Sequence, residues 1–279
     1  MTSVTPVTPV TPVITSAGQL RGTPVGVLLR ERRLRSRRSQ PDLAIQADVS
    51  ARHLSFVETG RSRPSSEMIL RLTEELEVPL RERNRVLLAG GYAPAYAERP
   101  LNSPQMSSVR SAVRQVLAGH EPYPAVLVDR HWNLMEANSA VGLLTDGAAA
   151  ELLAAPANVL RLSLHPDGMA PRIVNLGEWR AHLLTRLRRQ VTVTDDAELR
   201  ELYRELRALP CDQPEPVVEL PGAGNVMVPL RLRVGEHTLS LISMTAVFGT
   251  PLDVTLSEIA IESFYPADAD SATVLSQSR

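Results

Sequence analysis

The sequence predicts an α+β protein of two domains: an all-helical N-terminal module of five helices, then a five-stranded, mostly antiparallel sheet with inserted helices. Three observations carry this. Apolar residues recur at helical spacing through residues 23–91. Apolar and polar residues alternate further on, most cleanly over 226–234. The charge divides in the same way. Residues 21–99 hold 15 Arg against 10 acids, and residues 100–279 hold 15 Arg against 21 acids, so a net charge of −1 conceals a basic half and an acidic half. A chain of 279 residues suits two modest domains.

Composition narrows the function classes. No run of about 18 apolar residues is present, which argues against a membrane-spanning helix. No charged region leads into an apolar one at the N-terminus, so no secretory signal is visible. The single cysteine, Cys211, excludes an internal disulfide and a cysteine-rich metal site. A reducing, cytoplasmic setting is the expectation. The six histidines show no metal-ligand spacing, and no cofactor is expected. The positive charge is carried by Arg alone, a choice suited to phosphate contact.

Residues 1–22 repeat Thr-Pro-Val and read as an extended, disordered tail. From Thr23, Val25, Leu28, Leu29 and Leu34 sit among six arginines, the pattern of an amphipathic helix with a basic outer face. Ser39 and Asp42 form a start signal for a short second helix, with Leu43, Ala44 and Ala47 facing in. Asp48-Val49 is a tight turn. Ser50 caps a third helix running to Thr59, with Leu54 and Val57 inward, and Gly60 stops it. Pro64 and Ser65 open a fourth helix, Pro79 opens a fifth, and Gly90-Gly91 ends it. The domain so defined is 23–91, and the Pro- and Ala-rich stretch 92–104 reads as a linker.

The second domain, 105–270, opens with a helix carrying Val109, Val113, Val116 and Leu117. Ala125–Asp129 and Trp132–Ala137 read as a β-hairpin. Leu176–Val191 is a helix with Trp179, Leu183 and Leu187 on one stripe, and Leu199–Leu209 is another. The segment 226–234 is a strand, Gly235-Glu236 a two-residue turn, Leu239–Phe248 the answering strand and Thr255–Phe264 the last. Residues 271–279 are expected to be a tail.

The sharpest motif lies in residues 33–64: Arg33, Ser39-Gln40-x-x-Leu43-Ala44, Ala47-Asp48-Val49-Ser50, then Leu54-Ser55-x-x-Glu58-x-Gly60-Arg61-x-Arg63-Pro64. Small residues Ala44 and Ala47 allow two short helices to cross closely. The second can then project its first turn into a DNA major groove, which is wide enough for one helix. This order of residues resembles the helix-turn-helix of the XRE class of bacterial regulators, which implies a lambda-repressor-like fold. Carried over position by position, the resemblance implies that Gln40 touches the DNA backbone or the first base pair. Ser50, Ala51 and Arg52 would present at the head of the recognition helix, with Arg52 bidentate to a guanine edge. Phe56 would press on a thymine methyl, and Ser39, Arg61 and Arg63 would hold phosphates. Arg33 and Glu58 match a pair that forms an internal salt bridge in this class. Two positions depart from the pattern. Asp48 stands where the turn into the recognition helix usually has Gly. Arg37 and Arg38 stand where the preceding link has Gly and an apolar residue.

Further on, Asp129-x-x-Trp132-x-Leu134-x-x-Ala137-Asn138-x-Ala140, Asn175-x-x-x-Trp179, Phe248-Gly249-Thr250-Pro251 and Phe264-x-Pro266-x-Asp268 resemble the MmyB-like family of XRE regulators. That resemblance implies a PAS-like ligand-binding fold in the second domain and a small-molecule or fatty-acid-like effector. A cavity in such a fold would be walled by Trp132, Trp179, Leu183 and Phe248. Asn138, His165 or Arg180 would hold a polar head group. Each has a plainer alternative: the aromatic residues as ordinary core, Asn138 as the cap of the next helix, His165 as a turn residue in His165-Pro166-Asp167-Gly168.

Two functions follow. One is a sequence-specific DNA-binding transcriptional regulator, a homodimer on double-stranded DNA, whose second domain senses a small apolar or fatty-acid-like ligand. The other keeps DNA binding and makes the second domain a ligand-free dimerisation or protein-docking module. An enzyme is not expected, because no nucleophile elbow, phosphate loop, metal set or paired carboxylates stand out in residues 100–279.

Overall fold

A computed structural model describes residues 24–214 and 227–277. The Thr-Pro-Val tail, Val226 and the last two residues lie outside the described part. The chain forms two compact units, the first ending at Ala97 and the second beginning at Glu98.

The first unit is five helices: α1 (Val25–Arg35), α2 (Gln40–Gln46), α3 (Ala51–Glu58), α4 (Ser66–Glu75) and α5 (Leu80–Ala89). Its core is aliphatic: Leu29, Leu43, Ala44, Ala47, Leu54, Val57, Ile69, Leu72 and Leu87 are buried together. Three starts are set by serine caps. Ser39, Ser50 and Ser65 accept from the backbone N–H of Asp42, His53 and Met68. Leu34, expected on the inner stripe of α1, is 55% exposed. The stripe that faces in is Gly26, Leu29 and Arg33. Arg33 takes the place a third aliphatic residue would hold, and Leu34, the next residue along, turns outward.

The stretch expected as a linker is mostly exposed but is tied down at a few points. Tyr92 donates its hydroxyl to the Pro64 carbonyl, and Asn84 bonds the backbone of Ala95 and Tyr96. Leu101 and Met106 are buried in the second unit.

The second unit contains α6 (Ser107–Gly119), β1 (Ala125–Val128), β2 (Leu134–Ala137), α7 (Val141–Thr145), α8 (Ala150–Leu153), α9 (Val159–Leu164), α10 (Leu176–Thr194), α11 (Ala197–Ala208), β3 (Leu230–Val234), β4 (His237–Val247), α12 (Val254–Ser257), β5 (Ala260–Pro266) and α13 (Ala269–Gln277). The sheet order is β2-β1-β5-β4-β3, and every pair is antiparallel. Helices α7 to α11 fall between the second and third strands. Gly235, at φ +56°, makes the two-residue turn that sets Val234 opposite His237.

Alternation on the strands divides the interior in two. Val126, Val128, Leu230, Leu232, Leu239 and Leu241 pack with Trp132, Trp179, Leu183 and Leu187 in one cluster. Ala125, Leu127, Ile259 and Ile261 pack with Val113 and Leu117 of α6 in the other. All four residues of β1 are therefore buried.

Several boundaries differ from the sequence expectation: the strand expected from 226 begins at Leu230, and the one expected from Trp132 begins at Leu134. Thr255 opens no strand. Asp253 accepts from the N–H groups of Thr255 and Leu256 and caps the short helix α12, so the last strand begins at Ala260. The expected tail from 271 is helical through Gln277, with Ser271 and Leu275 buried and the Ser271 hydroxyl accepting from the Ser240 N–H.

Helix α1 crosses α3 at Gly26. A Cβ there would lie 2.0 Å from the Val57 carbonyl oxygen, whereas one at Gly119, at the end of α6, would meet nothing within 4 Å. Gly26→Ala is expected to lower unfolding free energy in urea by about 1–3 kcal/mol. Gly119→Ala is expected to leave it unchanged or raise it by up to about 1 kcal/mol. Equal effects would contradict the close crossing.

Candidate nucleic-acid interface and ligand cavity

In the first unit, α2 and α3 are joined by a turn in which Asp48 adopts φ +51°, so aspartate fills the left-handed position where glycine was the expectation. Arg37, in the link from α1 to α2, is also left-handed, at φ +53°. Beyond the turn, Ser50, Ala51, Arg52 and His53 are all exposed. The Arg52 guanidinium lies 5.4 Å from the ring centroid of Phe56, one turn on, so these two expected contact residues form one unit.

The end of α3 is held from behind. Arg33 donates Nε to Glu58 Oε1 at 2.7 Å and Nη2 to Glu58 Oε2 at 2.8 Å. Its Nη1 donates to the Arg38 carbonyl at 2.8 Å. Gln40 donates Nε2 to Glu58 Oε2 at 2.7 Å. The Glu58 and Arg33 side chains are only 1% and 8% exposed. Burial works against ionisation of Glu58, but the hydrogen bonds from Arg33 and Gln40 and the Arg33 charge outweigh it and hold the pKa below its ordinary 4.5. The hydrogen bond to Glu58 raises that of Arg33.

The other expected contact residues are placed differently. Ser39 and Arg61 are exposed. Ser39 is engaged with Asp42, donating its hydroxyl to the carboxylate at 2.6 Å. Gln40 was expected at DNA, and its amide N–H is directed inward to Glu58. Arg63 was expected at phosphate, yet its Nε and Nη2 both donate to the Gly90 carbonyl, and its guanidinium covers Tyr92. It still fronts a groove of about 460 Å³ shared with Val49, Ser50, His53, Ser65, Met68 and Arg71. His53 and Arg71 were missed in the sequence. His53 lies beside Arg52 in the same turn, but Arg71 is well inside α4, where only the fold brings it to the groove. The Arg71 Nε is buried with no hydrogen-bond partner among the described residues.

In the second unit, a cavity of about 70 Å³ lies between the sheet and the inserted helices. Trp132, Trp179 and Leu183 line it, with Val126, Leu144, Leu160, Met169 and Leu230. Four expected lining residues do not. Phe248 packs against the α6 side of the sheet, and its place is taken by Phe264. Asn138 neither lines the cavity nor caps α7. Its carboxamide accepts from the Ala125 N–H and donates to the carbonyls of Leu117 and Tyr123, tying β1 to the end of α6. His165 sits in its turn, Nδ1 accepting from the Asp167 N–H. Arg180 is buried and donates to the Arg207 carbonyl, joining α10 to α11.

Two further motif residues, Asp129 and Asn175, bond the backbone of segments beside the cavity. Asp129 accepts from the N–H groups of His131 and Asn133 and closes the turn in which Trp132 adopts φ +69°. Asn175 ties α10 to β3, donating to the Pro229 carbonyl and accepting from the Arg231 N–H. Glu262 on β5 was missed in the sequence because nothing marks a lone acid in a strand. It lines the cavity, and its carboxylate accepts from Arg186 Nη1 at 2.9 and 3.0 Å. Burial and the neighbouring Arg186 push His182 below its usual pKa, so it is neutral at pH 7 and Arg186 is the cation paired with Glu262.

Glu58→Ala should destabilise the chain by about 3–5 kcal/mol, because Arg33 stays buried without its partner. Since folding depresses the Glu58 pKa, its contribution is complete above the ordinary value of 4.5 and is lost as pH falls through the folded value. The stability gap between wild type and Glu58→Gln should therefore shrink below about pH 4.5, as measured by urea titrations from pH 7 to 3. A gap independent of pH would remove the ion pair from the account.

Residues 109–277 match the family model described as the MmyB-like transcription regulator ligand binding domain, and residues 24–86 match a helix-turn-helix domain model. No match is found among curated proteins. Two solved structures are similar. The crystal structure of the clp gene regulator ClgR from Corynebacterium glutamicum is 24% identical over 37% of this chain and 95% of that one, with a TM-score of 0.22. An RNA-binding light-oxygen-voltage receptor is 14% identical over 90% of this chain and 61% of that one, with a TM-score of 0.26.

Proposed function

The chain belongs to the MmyB-like transcription regulators, and on that footing we propose that it reads a specific operator through α3 and adjusts its binding to a small apolar or fatty-acid-like molecule held in the second unit. The two matched families make it a DNA-binding transcription regulator with a ligand-binding domain, and neither is enzymatic. No helix among the described residues is long and apolar enough to cross a membrane.

One observation carries the DNA reading: an exposed first turn, Ser50 to His53, on a helix whose far end is locked by Arg33 and Glu58. In this reading Arg52 pairs with a guanine edge in the major groove, with Phe56 beneath it. Ser39, Arg61 and Arg71 meet phosphates, and Arg63 braces the loop between α3 and α4 while facing the same groove. Gln40 acts through Glu58, as a positioning residue. Two copies on a palindromic operator would meet half-sites about 34 Å apart, one helical turn. A coupling of about 1–3 kcal/mol between ligand and operator is enough to regulate. The setting is the cytoplasm, where the DNA is, and no catalytic role is assigned.

One observation favours the alternative in which the second unit is a ligand-free dimerisation or docking module. The cavity of about 70 Å³ is well below the ~300–1,000 Å³ usual for ligand sites. Native mass spectrometry of the purified chain distinguishes the two. A co-purifying small molecule supports the sensor, and an empty second unit that dimerises supports docking.

Arg52→Ala is expected to weaken binding to the selected operator by ~1–3 kcal/mol and to relax preference at one base pair, as read from selection of random DNA. An unchanged sequence profile would exclude the proposed role of Arg52. Affinity of the wild type should also fall steeply between 50 and 200 mM salt, by about three- to four-fold for each phosphate contact.

A further inference from the structure

Strand β4 is longer than its outer neighbour. Its register with β5 runs from Leu241 to Val247, whereas β3 covers only His237 to Leu241. Beyond Leu241, no strand among the described residues lies on the β3 side. Parity gives the direction of the backbone there. Ser240 turns both of its backbone groups to the β5 side, its N–H to Ser271 Oγ and its carbonyl to the Ala267 N–H. Directions alternate along an antiparallel strand, so Ser243, Thr245 and Val247 present N–H and C=O to the open edge. Such an edge is a template for pairing, and natural sequences guard it with charged residues, Pro or a bulge. Here the register with β5 is unbroken, and Ile242 to Thr250 contains no charged residue and no proline. Met244 and Val247 are 58% and 69% exposed.

The open lane is closed at one end. β3 enters it at Leu230, opposite Leu241, and Pro229 before it has no N–H and gives its carbonyl to Asn175. A visiting strand has room opposite Ser243–Val247 and must leave the lane beside Ile242. A second copy of β4 meets that limit. With a two-fold axis at Thr245, Ser243 lies opposite the partner's Val247, Thr245 opposite the partner's Thr245, and Val247 opposite the partner's Ser243. All of these turn their backbone groups to the edge, so each pair exchanges both hydrogen bonds. Phe248 follows, and the chain then bends at Gly249 and Thr250, which takes the copy out of the lane before it reaches β3. The same register sets Met244 beside the partner's Ala246 on one face. Charge agrees with it: residues 100–279 are acidic, so two copies repel over most of this unit, and the strip opposes no like charges.

We propose that the open edge of β4, Ser243–Val247, is the surface on which two copies of this chain pair, antiparallel, joining their sheets across a two-fold axis at Thr245. The proposal rests on the reading of the chain as a homodimer on a two-fold operator and assigns that contact to the second unit.

Sedimentation velocity of the full chain should show a dimer. Met244→Lys alters an exposed side chain and should weaken the dimer by about ten-fold or more. In a Cys211→Ser background, Thr245→Cys supplies the one thiol of the chain. Facing Cα atoms about 5.5 Å apart lie within disulfide reach, so mild oxidation should link two copies of Thr245→Cys. It should not link Thr238→Cys, an exposed β4 position that already faces Arg233. A chain that stays monomeric up to about 100 μM overturns the proposal. So does a dimer unmoved by Met244→Lys, or one that links at position 238 as fast as at 245. On DNA, Met244→Lys should bind a duplex with one half-site as the wild type does and lose the added affinity for a two-fold site. A wild type that binds no DNA refutes the operator reading, while sedimentation and cross-linking still decide the pairing.

Discussion

The bidentate contact between Arg33 and Glu58 is the constraint on which the first unit depends. It joins the last turn of α1 to the last turn of α3, and through the Arg38 carbonyl and Gln40 it also holds the link and the start of α2. The pair is buried beside a core of aliphatic side chains, which have little directional preference. Leu and Val fill space, whereas a guanidinium fork meets a carboxylate in one plane and at one distance. A buried ion pair of this kind adds little net stability over an apolar pair, so its contribution is geometric. The exposed first turn of α3 can thus carry polar and flexible side chains, because its orientation is fixed at the opposite end.

The second unit achieves the same end with backbone partners. Asp129, Asn138 and Asn175 each spend a side chain on main-chain groups of neighbouring segments. They sit at the hairpin turn, the junction of β1 with α6 and the junction of α10 with β3. These three places determine where the sheet ends and the inserted helices begin, and hence where the cavity can be. Trp132 is held with positive φ by that hairpin turn, and the conformation brings its ring against Arg186.

Much of this was legible in the sequence. Serine caps, the Ala44 and Ala47 contact and the Asp48 turn are local signals, and each is decided within a few residues. The strand alternation at Leu230–Val234 was equally direct. What was not legible depended on parity or on distant partners. Phe248 follows β4 directly and Phe264 lies inside β5, and their opposite parity sends one to the α6 side and the other to the cavity. Thr255 has good strand propensity, but Asp253 before it offers two hydrogen bonds to a helical turn. Leu34 was misplaced because a charged residue, Arg33, occupies the inward position. Among the site residues, Arg71 and Glu262 stand alone in their segments, and only the fold gives them neighbours. His165 and Arg180 were attractive as polar head-group partners, but their nearest acceptors and donors are main-chain groups.

The burial of β1 on both sides makes that strand a shared wall. Val126 borders the cavity, while Ala125 and Leu127 press on the helix that begins at Ser107. A close-packed interior cannot absorb added volume locally. A guest larger than the empty space would bow this thin partition toward α6. The sheet is in this sense a diaphragm between the cavity and α6.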